Sequence, residues 1–252
     1  MHKRTHSDAD AEAAPIRPEG DVPAGWRCVY SFRDDAAGGE GGDSPPAQLL
    51  VYDNELTLDE EALLPLWDAE LVRRPPGVAF GRAYTMPRSV QFFSNKSHGY
   101  SYGGQESTPK PLDDTMCRVL DMLNALTQPL VPAGTPLFNG LLFNRYEPED
   151  SIAPHYDKGH HPRGVASLTL MGAPGERRDE PHLVTTRRFC LCTHDSAKTL
   201  FELPTEHRQL MLMHGSSFQA LRRHSVKPAP KGRPALTRLN ITARCHYNVD
   251  SH

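Results

Sequence analysis

The chain has 252 residues, a formal net charge of -3 and 38% hydrophobic residues, enough for one large or two small domains with a buried core. No apolar run approaches the ~18 residues of a membrane span, and the basic start leads into no signal-peptide core. The five cysteines form no paired framework. This excludes fibrous, membrane and secreted classes, and we expect an intracellular protein of nucleus or cytoplasm.

The N-terminal part differs in composition from the remainder. Residues 1–48 carry 5 basic and 9 acidic side chains and few large apolar groups. Such a segment buries too little surface to offset the entropy lost on ordering. We therefore predict that 1–48 is mostly flexible, that Trp26–Tyr30 within it can dock on the body, and that residues 49–252 form a single domain.

Two helices are predicted. Thr57–Glu60 has the pattern of a capping box, and the apolar stripe that follows it ends before Pro75. The second helix follows Asp113 and Asp114, carries apolar residues at helical spacing over 116–126, and ends before Pro129.

The remaining pattern favours β-structure. Residues 89–93 and 99–104 predict a short ribbon or a pair of loops. From residue 137 onward short strands are predicted at 137–146, 165–170, 187–192, 209–214, 217–224 and 236–247. Helices followed by short strands indicate an α+β, mainly β fold, with helices packed on one face of a β-sandwich or barrel.

His155-Tyr156-Asp157 is a candidate for metal binding. In an extended chain, residues i and i+2 point to the same side, so an imidazole and a carboxylate share one face. A second histidine would complete the two-histidine, one-carboxylate set that leaves positions open on Fe(II). Taken alone, such a tripeptide is more often an ordinary surface loop.

A second candidate is the strand near the C-terminus. It alternates with period 2, and one face carries Arg238, Asn240, Thr242 and Arg244. Two guanidiniums on one face suit a dianion, because arginine pairs a carboxylate through two donors. A basic edge strand with an apolar underside is the alternative.

Two further segments offer polar groups. Asn144 and Tyr146 present an amide and a phenol to one face of the 137–146 strand. His224 ends a strand pattern shortly before Arg238 and is the histidine placed to pair with that strand.

Taken in chain order, these motifs resemble the AlkB family of Fe(II)- and 2-oxoglutarate-dependent dioxygenases, especially its DNA-repair demethylases. The resemblance covers about residues 80–247 and rests on Asn144-x-Tyr146, His155-x-Asp157, His224-Ser-Val and Arg238-x-Asn-x-Thr-x-Arg244. It implies a double-stranded β-helix, or jelly-roll, core with helices on one side. It also implies a nucleotide-recognition segment at 89–105.

The resemblance assigns roles to matching residues. His155, Asp157 and His224 would be the catalytic iron ligands. Arg238 would pair with the distal carboxylate of 2-oxoglutarate, helped by Tyr146 and Asn144. Arg244 and Asn240 would sit nearer its metal-chelating end. Residues expected to contact substrate are Tyr102, then Tyr100 or Phe93, as a stacking wall, and Arg88 with the 222–233 basic cluster, as phosphate contacts.

The implied reaction is oxidative demethylation of N-alkylated bases in DNA or RNA, with dioxygen as the other cosubstrate. It releases formaldehyde, succinate and CO2 and needs a flipped or single-stranded base. The resemblance also implies a monomer that binds nucleic acid and does not bind a membrane.

Three departures leave other substrates open. Gly159 stands where repair members carry an acidic residue, Arg222 where an aromatic residue is common, and a polar insertion lies near 172–187. The alternatives are the same chemistry on a protein side chain or a small molecule and, from another class, a non-catalytic β-sandwich binding module.

Overall fold

The structure is a computed structural model that describes residues 22–33, 46–79, 81–96, 100–102, 105–157, 159, 161–215 and 218–245. Of residues 79, 100–102, 105 and 106 it describes the backbone. No helix in these ranges is long and apolar enough to cross a membrane. Most of the predicted flexible segment, 1–21 and 34–45, lies outside the described residues.

The elements follow one another along the chain as short strands and a few helices. The helices are α1 (Glu60–Leu63), α2 (Asp114–Thr127) and α3 (Phe218–Leu221), with 3-10 turns at Leu64–Asp68 and Gln128–Leu130. The strands are β1 (Trp26–Phe32), β2 (Ala47–Tyr52), β3 (Pro76–Ala79), β4 (Arg82–Thr85), β5 (Ser89–Ser94), β6 (Tyr100–Tyr102), β7 (Gln105–Ser107), β8 (Gly140–Tyr146), β9 (Ile152–His155), β10 (Val165–Met171), β11 (Arg187–Thr193), β12 (Thr199–Thr205), β13 (Gln209–His214), β14 (Arg222–Val226) and β15 (Arg238–Arg244).

Two antiparallel sheets form the body. The larger has the strand order β1-β2-β13-β10-β15-β8-β5, and the smaller has the order β12-β11-β14-β9. The strands from β8 to β15 pair in a nested way: β8 with β15, β9 with β14, β10 with β13 and β11 with β12. This nesting returns the last strand to the side of the first, so residues from distant parts of the sequence become neighbours.

The larger sheet is buried on both faces. One face packs against the helices through a core that joins Leu168 and Ile241 to Val119 and Leu123 of α2. The other face packs against the smaller sheet through a second cluster, which contains Val165, Met211, Phe189 and Leu191 among others. The protein is therefore mainly β, with helices on one side of a two-sheet body, as predicted.

The second predicted helix is confirmed and the first is largely wrong. Asp113 caps α2 by accepting a 2.7 Å hydrogen bond from the Met116 amide. The first helix begins at Glu60, with Asp59 and not Thr57 as its cap. It ends after one turn because Pro65 has no amide hydrogen to continue the helical bonds, and a 3-10 turn follows.

Several predicted strands need correction. Residues 217–224 are not one strand, because α3 occupies Phe218–Leu221 and the strand begins at Arg222. Residues 89–93 belong to β5, the edge of the larger sheet paired with β8, and not to a ribbon with 99–104. Tyr100–Tyr102 instead pairs with β7.

The predicted docking of residues 26–30 is confirmed. This segment lies in β1, which pairs with β2 at one edge of the larger sheet. Trp26 anchors it by donating from Nε1 to the Leu126 carbonyl of α2 at 3.1 Å. The folded body therefore begins before residue 49.

Arg163 joins α2 to the sheet. Its side chain is fully buried and donates to acceptors around the end of the helix, namely Pro136 O, Thr135 O, Asn124 O, Thr127 Oγ1 and Gln128 Oε1. One guanidinium therefore ties the last turn of α2 to the Thr135–Pro136 loop.

We expect Arg163→Met to lower the free energy of unfolding by about 3 kcal/mol, because it leaves several buried acceptors without their charged donor. Urea unfolding followed by circular dichroism measures this. Arg177→Met, at an exposed arginine paired with Asp179, is the matched control and should change it by less than ~0.5 kcal/mol. Equal midpoints for both variants would contradict the role of Arg163.

Candidate metal centre

His155, Asp157 and His224 come together between the two sheets. One ligand atom from each lies within 4.8 Å of the other two. His155 ends β9 and His224 lies in β14, and the two residues are register partners in the smaller sheet. Their rings are 4.3 Å apart between centroids. The pairing of these two strands therefore brings both imidazoles to one point.

The tautomer of His155 is fixed by its own strand. Its Nδ1 lies 2.9 Å from the Ala153 carbonyl, which can only accept, so Nδ1 carries the hydrogen. Nε2 is then left with a lone pair for a metal. Burial lowers the pKa of His155 to about 4, so the ring is neutral at physiological pH. Burial also lowers the pKa of His224 well below its usual value.

The two carboxylate oxygens of Asp157 have different surroundings. Oδ1 accepts a 2.6 Å bond from Arg244 Nη2, and the Asp157 amide donates to Gln219 Oε1 at 2.9 Å. Oδ2 is buried, has no hydrogen-bond partner among the described residues, and lies 3.8 Å from His224 Nε2. Burial raises the pKa of this carboxyl to about 7. An unpartnered buried oxygen facing two neutral imidazoles is a donor set that fits a divalent metal ion.

Positive charge is concentrated beside this set. Arg88, Arg238 and Arg244 are each at most 7% exposed. Burial lowers the pKa of Arg238 to about 10 and that of Arg244 to about 9, so both guanidiniums stay protonated at neutral pH. Arg88 lies close enough to Asp157 to lower the pKa of its carboxyl. Arg88 and Arg244 are thus two buried cations beside the Asp157 carboxylate, and Arg238 is a third buried cation at the other end of β15; this charge favours an anionic ligand.

The predicted anion-binding strand is central in the larger sheet. β15 lies between β10 and β8 and every residue of it is buried, so the alternative of a basic edge strand is wrong. Arg238 lies over the Tyr146 ring at 5.2 Å and donates from Nη2 to Thr169 Oγ1 at 3.0 Å. Its Nε and Nη1 make no hydrogen bond within the described part of the chain.

Two predicted cosubstrate residues have internal partners. Asn144 Oδ1 accepts from Arg88 Nε at 2.7 Å. Asn240 donates both amide hydrogens within the sheet, to Ser167 Oγ at 2.7 Å and to Leu168 O at 3.1 Å. The resemblance placed Asn240 near the metal-chelating end of 2-oxoglutarate, and these bonds leave it no free amide hydrogen to donate there. In this arrangement Asn240 braces β15 against β10.

The structure contradicts the interpretation of Phe93 as a stacking wall. Phe93 is 4% exposed, belongs to the core beneath the helices, and packs edge-on against Phe143 with centroids 4.9 Å apart. Its strand partner is Leu141, which shares that core, so Phe93 faces away from His155. The backbone of Tyr100–Tyr102 forms β6, and the side chains of Tyr100 and Tyr102 lie outside the described residues.

Arg88 is likewise not where a phosphate contact was expected. It is 7% exposed and bonded to Asn144 beside the metal ligands, so it does not present its guanidinium to the surface. The sequence showed only that Arg88 precedes a strand. Its burial results from the pairing of β5 with β8, which the sequence did not reveal.

The structure adds residues that motif analysis missed. Tyr156 lies between two of the candidate ligands, is 40% exposed, and stacks on His194 with centroids 5.7 Å apart and planes 27° apart. His161 lies close enough to His224 to lower the pKa of that ring. The sequence shows Tyr156 as an aromatic residue inside the His-x-Asp tripeptide. The positions of His194 and His161 match no motif that would have pointed to this site.

Comparison with known proteins finds matches among solved structures. No family model and no curated protein matches the sequence. Among solved structures, "The structure of OsALKBH1" matches with a TM-score of 0.49 and 16% sequence identity, covering 79% of this chain and 96% of that chain. This is a distant similarity in backbone shape.

We expect His155→Ala and Asp157→Ala each to weaken binding of Mn(II), measured by calorimetry under anaerobic conditions, by about a hundredfold or more, because each removes a ligand atom. His182→Asn is the control, since His182 is exposed and has a left-handed backbone that asparagine tolerates. Wild-type affinity in either alanine variant would exclude the metal centre.

Proposed function

We propose that this protein is an Fe(II)- and 2-oxoglutarate-dependent dioxygenase that removes alkyl groups from nucleic-acid bases. The observation that carries the proposal is the convergence of His155, Asp157 and His224, whose ligand atoms lie within 4.8 Å of one another. The two imidazoles are neutral and the Asp157 oxygen between them is unpartnered, which is what a ferrous ion requires of its ligands.

The cosubstrate role is supported by charge and by open donors. Arg238 has two donors without a partner in the described residues, lies at the end of β15, and is held in place by the Tyr146 ring. A carboxylate of 2-oxoglutarate would give an acceptor to one of these donors, Nε or Nη1, which lie on different edges of the guanidinium. Arg244 orients Asp157 and neutralises it, so the second Asp157 oxygen stays directed at the metal position.

Bound Fe(II) with 2-oxoglutarate would supply oxidation of a substrate C–H bond by dioxygen, releasing succinate and CO2. The protein's own residues supply the geometry. His155 is held by the Ala153 carbonyl, His224 by its strand register, and Asp157 by Arg244 and Gln219. Asp157 and His224 are buried and His155 is half-buried, which limits access of water to the reacting centre.

Topology and motif order support the same proposal. The nested pairing of β8 with β15, β9 with β14, β10 with β13 and β11 with β12 supports a jelly-roll core, which is part of this proposal. The motifs that resemble the AlkB family lie on these strands, and the metal ligands come from β9, the loop after it, and β14.

We infer that a base would stack on Tyr156 and His194. Their rings stack with centroids 5.7 Å apart and planes 27° apart, Tyr156 lies between His155 and Asp157 in the chain, and it is 40% exposed whereas Phe93 is 4% exposed. A base inside a duplex cannot reach this surface, so the substrate would be flipped or single-stranded. Hydroxylation of a protein side chain or small molecule is the second candidate, because Gly159 is exposed and supplies no side chain to read a base.

Incubation with Fe(II), ascorbate, 2-oxoglutarate and methylated single-stranded oligonucleotides tests the proposal. We expect formaldehyde and succinate in equal amounts, and neither product with His155→Ala. Succinate without formaldehyde on any methylated base would reject nucleic-acid demethylation and favour the second candidate. Absence of both products with wild-type protein, together with no metal binding, would return the protein to the class of non-catalytic binding modules.

Arg238→Met is expected to raise the KM for 2-oxoglutarate about a hundredfold, because it removes a buried charged donor worth about 3 kcal/mol. Arg238→Lys keeps the charge but loses the planar guanidinium, so its KM for 2-oxoglutarate should lie between that of the wild type and that of Arg238→Met. Initial rates of succinate formation measure both. A KM unchanged in Arg238→Met would mean that this strand does not hold the cosubstrate.

Tyr156→Ala is expected to raise the KM for a methylated oligonucleotide about tenfold or more while leaving the KM for 2-oxoglutarate unchanged, because stacking of one base on an aromatic ring contributes about 1–3 kcal/mol. Tyr156→Phe keeps the ring and should preserve the wild-type value. Equal KM values for alanine and phenylalanine at this position would show that Tyr156 does not contact the base.

A further inference from the structure

Arg88 is a buried cation beside the candidate metal ligands that no step of the proposed reaction uses. It lies directly before β5 and is 7% exposed. Its Nε donates to Asn144 Oδ1 at 2.7 Å. Asn144 is the register partner of Val90 on one side and of Asn240 on the other, and register partners point to the same face of a sheet. The bond therefore holds Arg88 on the face of the larger sheet that carries the polar side chains of β15.

The far end of the Arg88 guanidinium has open donors. Nη1 and Nη2 make no hydrogen bond within the described residues, and neither is enclosed by protein, in contrast to Nε and Nη1 of Arg238. Because Nε is held by Asn144, the side chain cannot turn away without breaking a buried hydrogen bond. Arg88 therefore keeps two donors directed at space that a ligand can enter.

The position of this guanidinium is beside the metal ligands. Burial has the largest effect on the pKa values of His155, Asp157 and Arg244, and the charge of Arg88 is a further cause that lowers all three. Asp157 and Arg244 are themselves joined by a 2.6 Å bond. A cation within electrostatic reach of all three groups lies where the reacting end of a substrate has to come.

Negative charge at this place comes from one carboxylate. Within the described part of the chain the buried carboxyl groups are those of Asp150 and Asp157, and Asp150 pairs with Arg74 at 2.9 Å. Asp157 pairs with Arg244 at 2.6 Å, and its other oxygen is the candidate metal ligand. Arg88 forms no ion pair with any of the described residues, so an incoming substrate meets its charge directly.

The groups of a substrate that Arg88 can contact are those beside the carbon to be oxidised. In a nucleotide whose alkyl carbon lies at the metal position, the phosphate is on the far side of the sugar, and the base edge next to the alkylated nitrogen lies nearest. A ring carbonyl on that edge accepts from a guanidinium, whereas an exocyclic amino group only donates. An N-alkylated amino base is also cationic at neutral pH, so two buried arginines would repel it.

We propose that Arg88 determines which bases the protein accepts, favouring a neutral base alkylated at a ring nitrogen beside a carbonyl, such as 3-methyluracil, over a cationic base such as 3-methylcytosine. This inference rests on the proposed function, since it names the substrate class of the same site. Nη1 and Nη2 of Arg88 would donate to the carbonyl oxygen. The two bases are a matched pair, because they share the ring and the methyl group and differ in a carbonyl or an amino group at one carbon.

Binding without turnover tests the selection. Short single-stranded oligodeoxynucleotides of one sequence, carrying either base, are titrated with the full chain in the presence of Mn(II) and 2-oxoglutarate under anaerobic conditions, and fluorescence anisotropy gives the dissociation constants. We expect the wild type to bind the 3-methyluracil strand about tenfold or more tightly than the 3-methylcytosine strand, the effect of one charged hydrogen bond. Equal affinities, or tighter binding of 3-methylcytosine, would overturn the inference.

Variants of Arg88 assign the preference to this side chain. Arg88→Met removes the donors and the charge, so it should weaken binding of the 3-methyluracil strand about tenfold and abolish the preference. Arg88→Lys keeps the charge without the planar guanidinium and should retain part of the preference. Arg177→Met, at the exposed arginine paired with Asp179, should behave as the wild type. Circular dichroism checks that each variant folds, and an unchanged preference in folded Arg88→Met would contradict the role of Arg88.

Formaldehyde release from the same two strands separates this inference from the proposed function. Preferential binding of 3-methyluracil without formaldehyde from either strand would support the role of Arg88 in binding and reject the oxidation. Formaldehyde from both strands at equal rates, together with equal affinities, would support the oxidation and reject the selection by Arg88.

Discussion

The candidate site depends on one buried carboxylate, that of Asp157, whose two oxygens face different partners. Oδ1 is bonded to Arg244, and Oδ2 faces His224 without a hydrogen bond. Burying an unpaired carboxylate is costly, so Arg244 makes the position tolerable while it leaves one oxygen for a metal. Removing the arginine would disturb both the ligand and its charge balance.

That pair exists because of the order in which the strands join. Arg244 ends β15 in the larger sheet, whereas Asp157 follows β9 in the smaller one. The nested pairing brings the end of one sheet over the end of the other, and the second core cluster fixes their separation. The apolar packing between the sheets is thus what sets the distance between the candidate metal ligand Asp157 and its counter-ion Arg244.

The sequence predicted the features that are local in the chain. The apolar spacing and the Asp113 cap of α2 are contained within one element, as are the tripeptide at 155–157 and the alternation of β15. The prediction of the first helix was wrong because Pro65 interrupts the helical hydrogen bonds, although the apolar residues around it have helical spacing. β9 was missed because it has four residues, of which Pro154 is one, at the edge of its sheet.

Features that depend on pairing register were beyond the sequence. Whether Phe92 or Phe93 faces the site is decided by the alignment of β5 with β8, which places Phe93 opposite Leu141 on the helix side. The burial of Arg88, the internal bonding of Asn240 and the contact of Tyr156 with His194 likewise depend on elements far apart in sequence. Composition and spacing carry no information about such contacts.

The direct pairing of β9 with β14 also determines which insertions and deletions the protein can tolerate. Because the two histidines are register partners, their separation is set by backbone hydrogen bonds, whatever the length of chain between Asp157 and His224. Residues 174–182 of the polar stretch between β10 and β11 are exposed, and lengthening such a loop costs little. Insertions and deletions there can therefore accumulate over evolutionary time while the spacing of the two imidazoles is inherited intact.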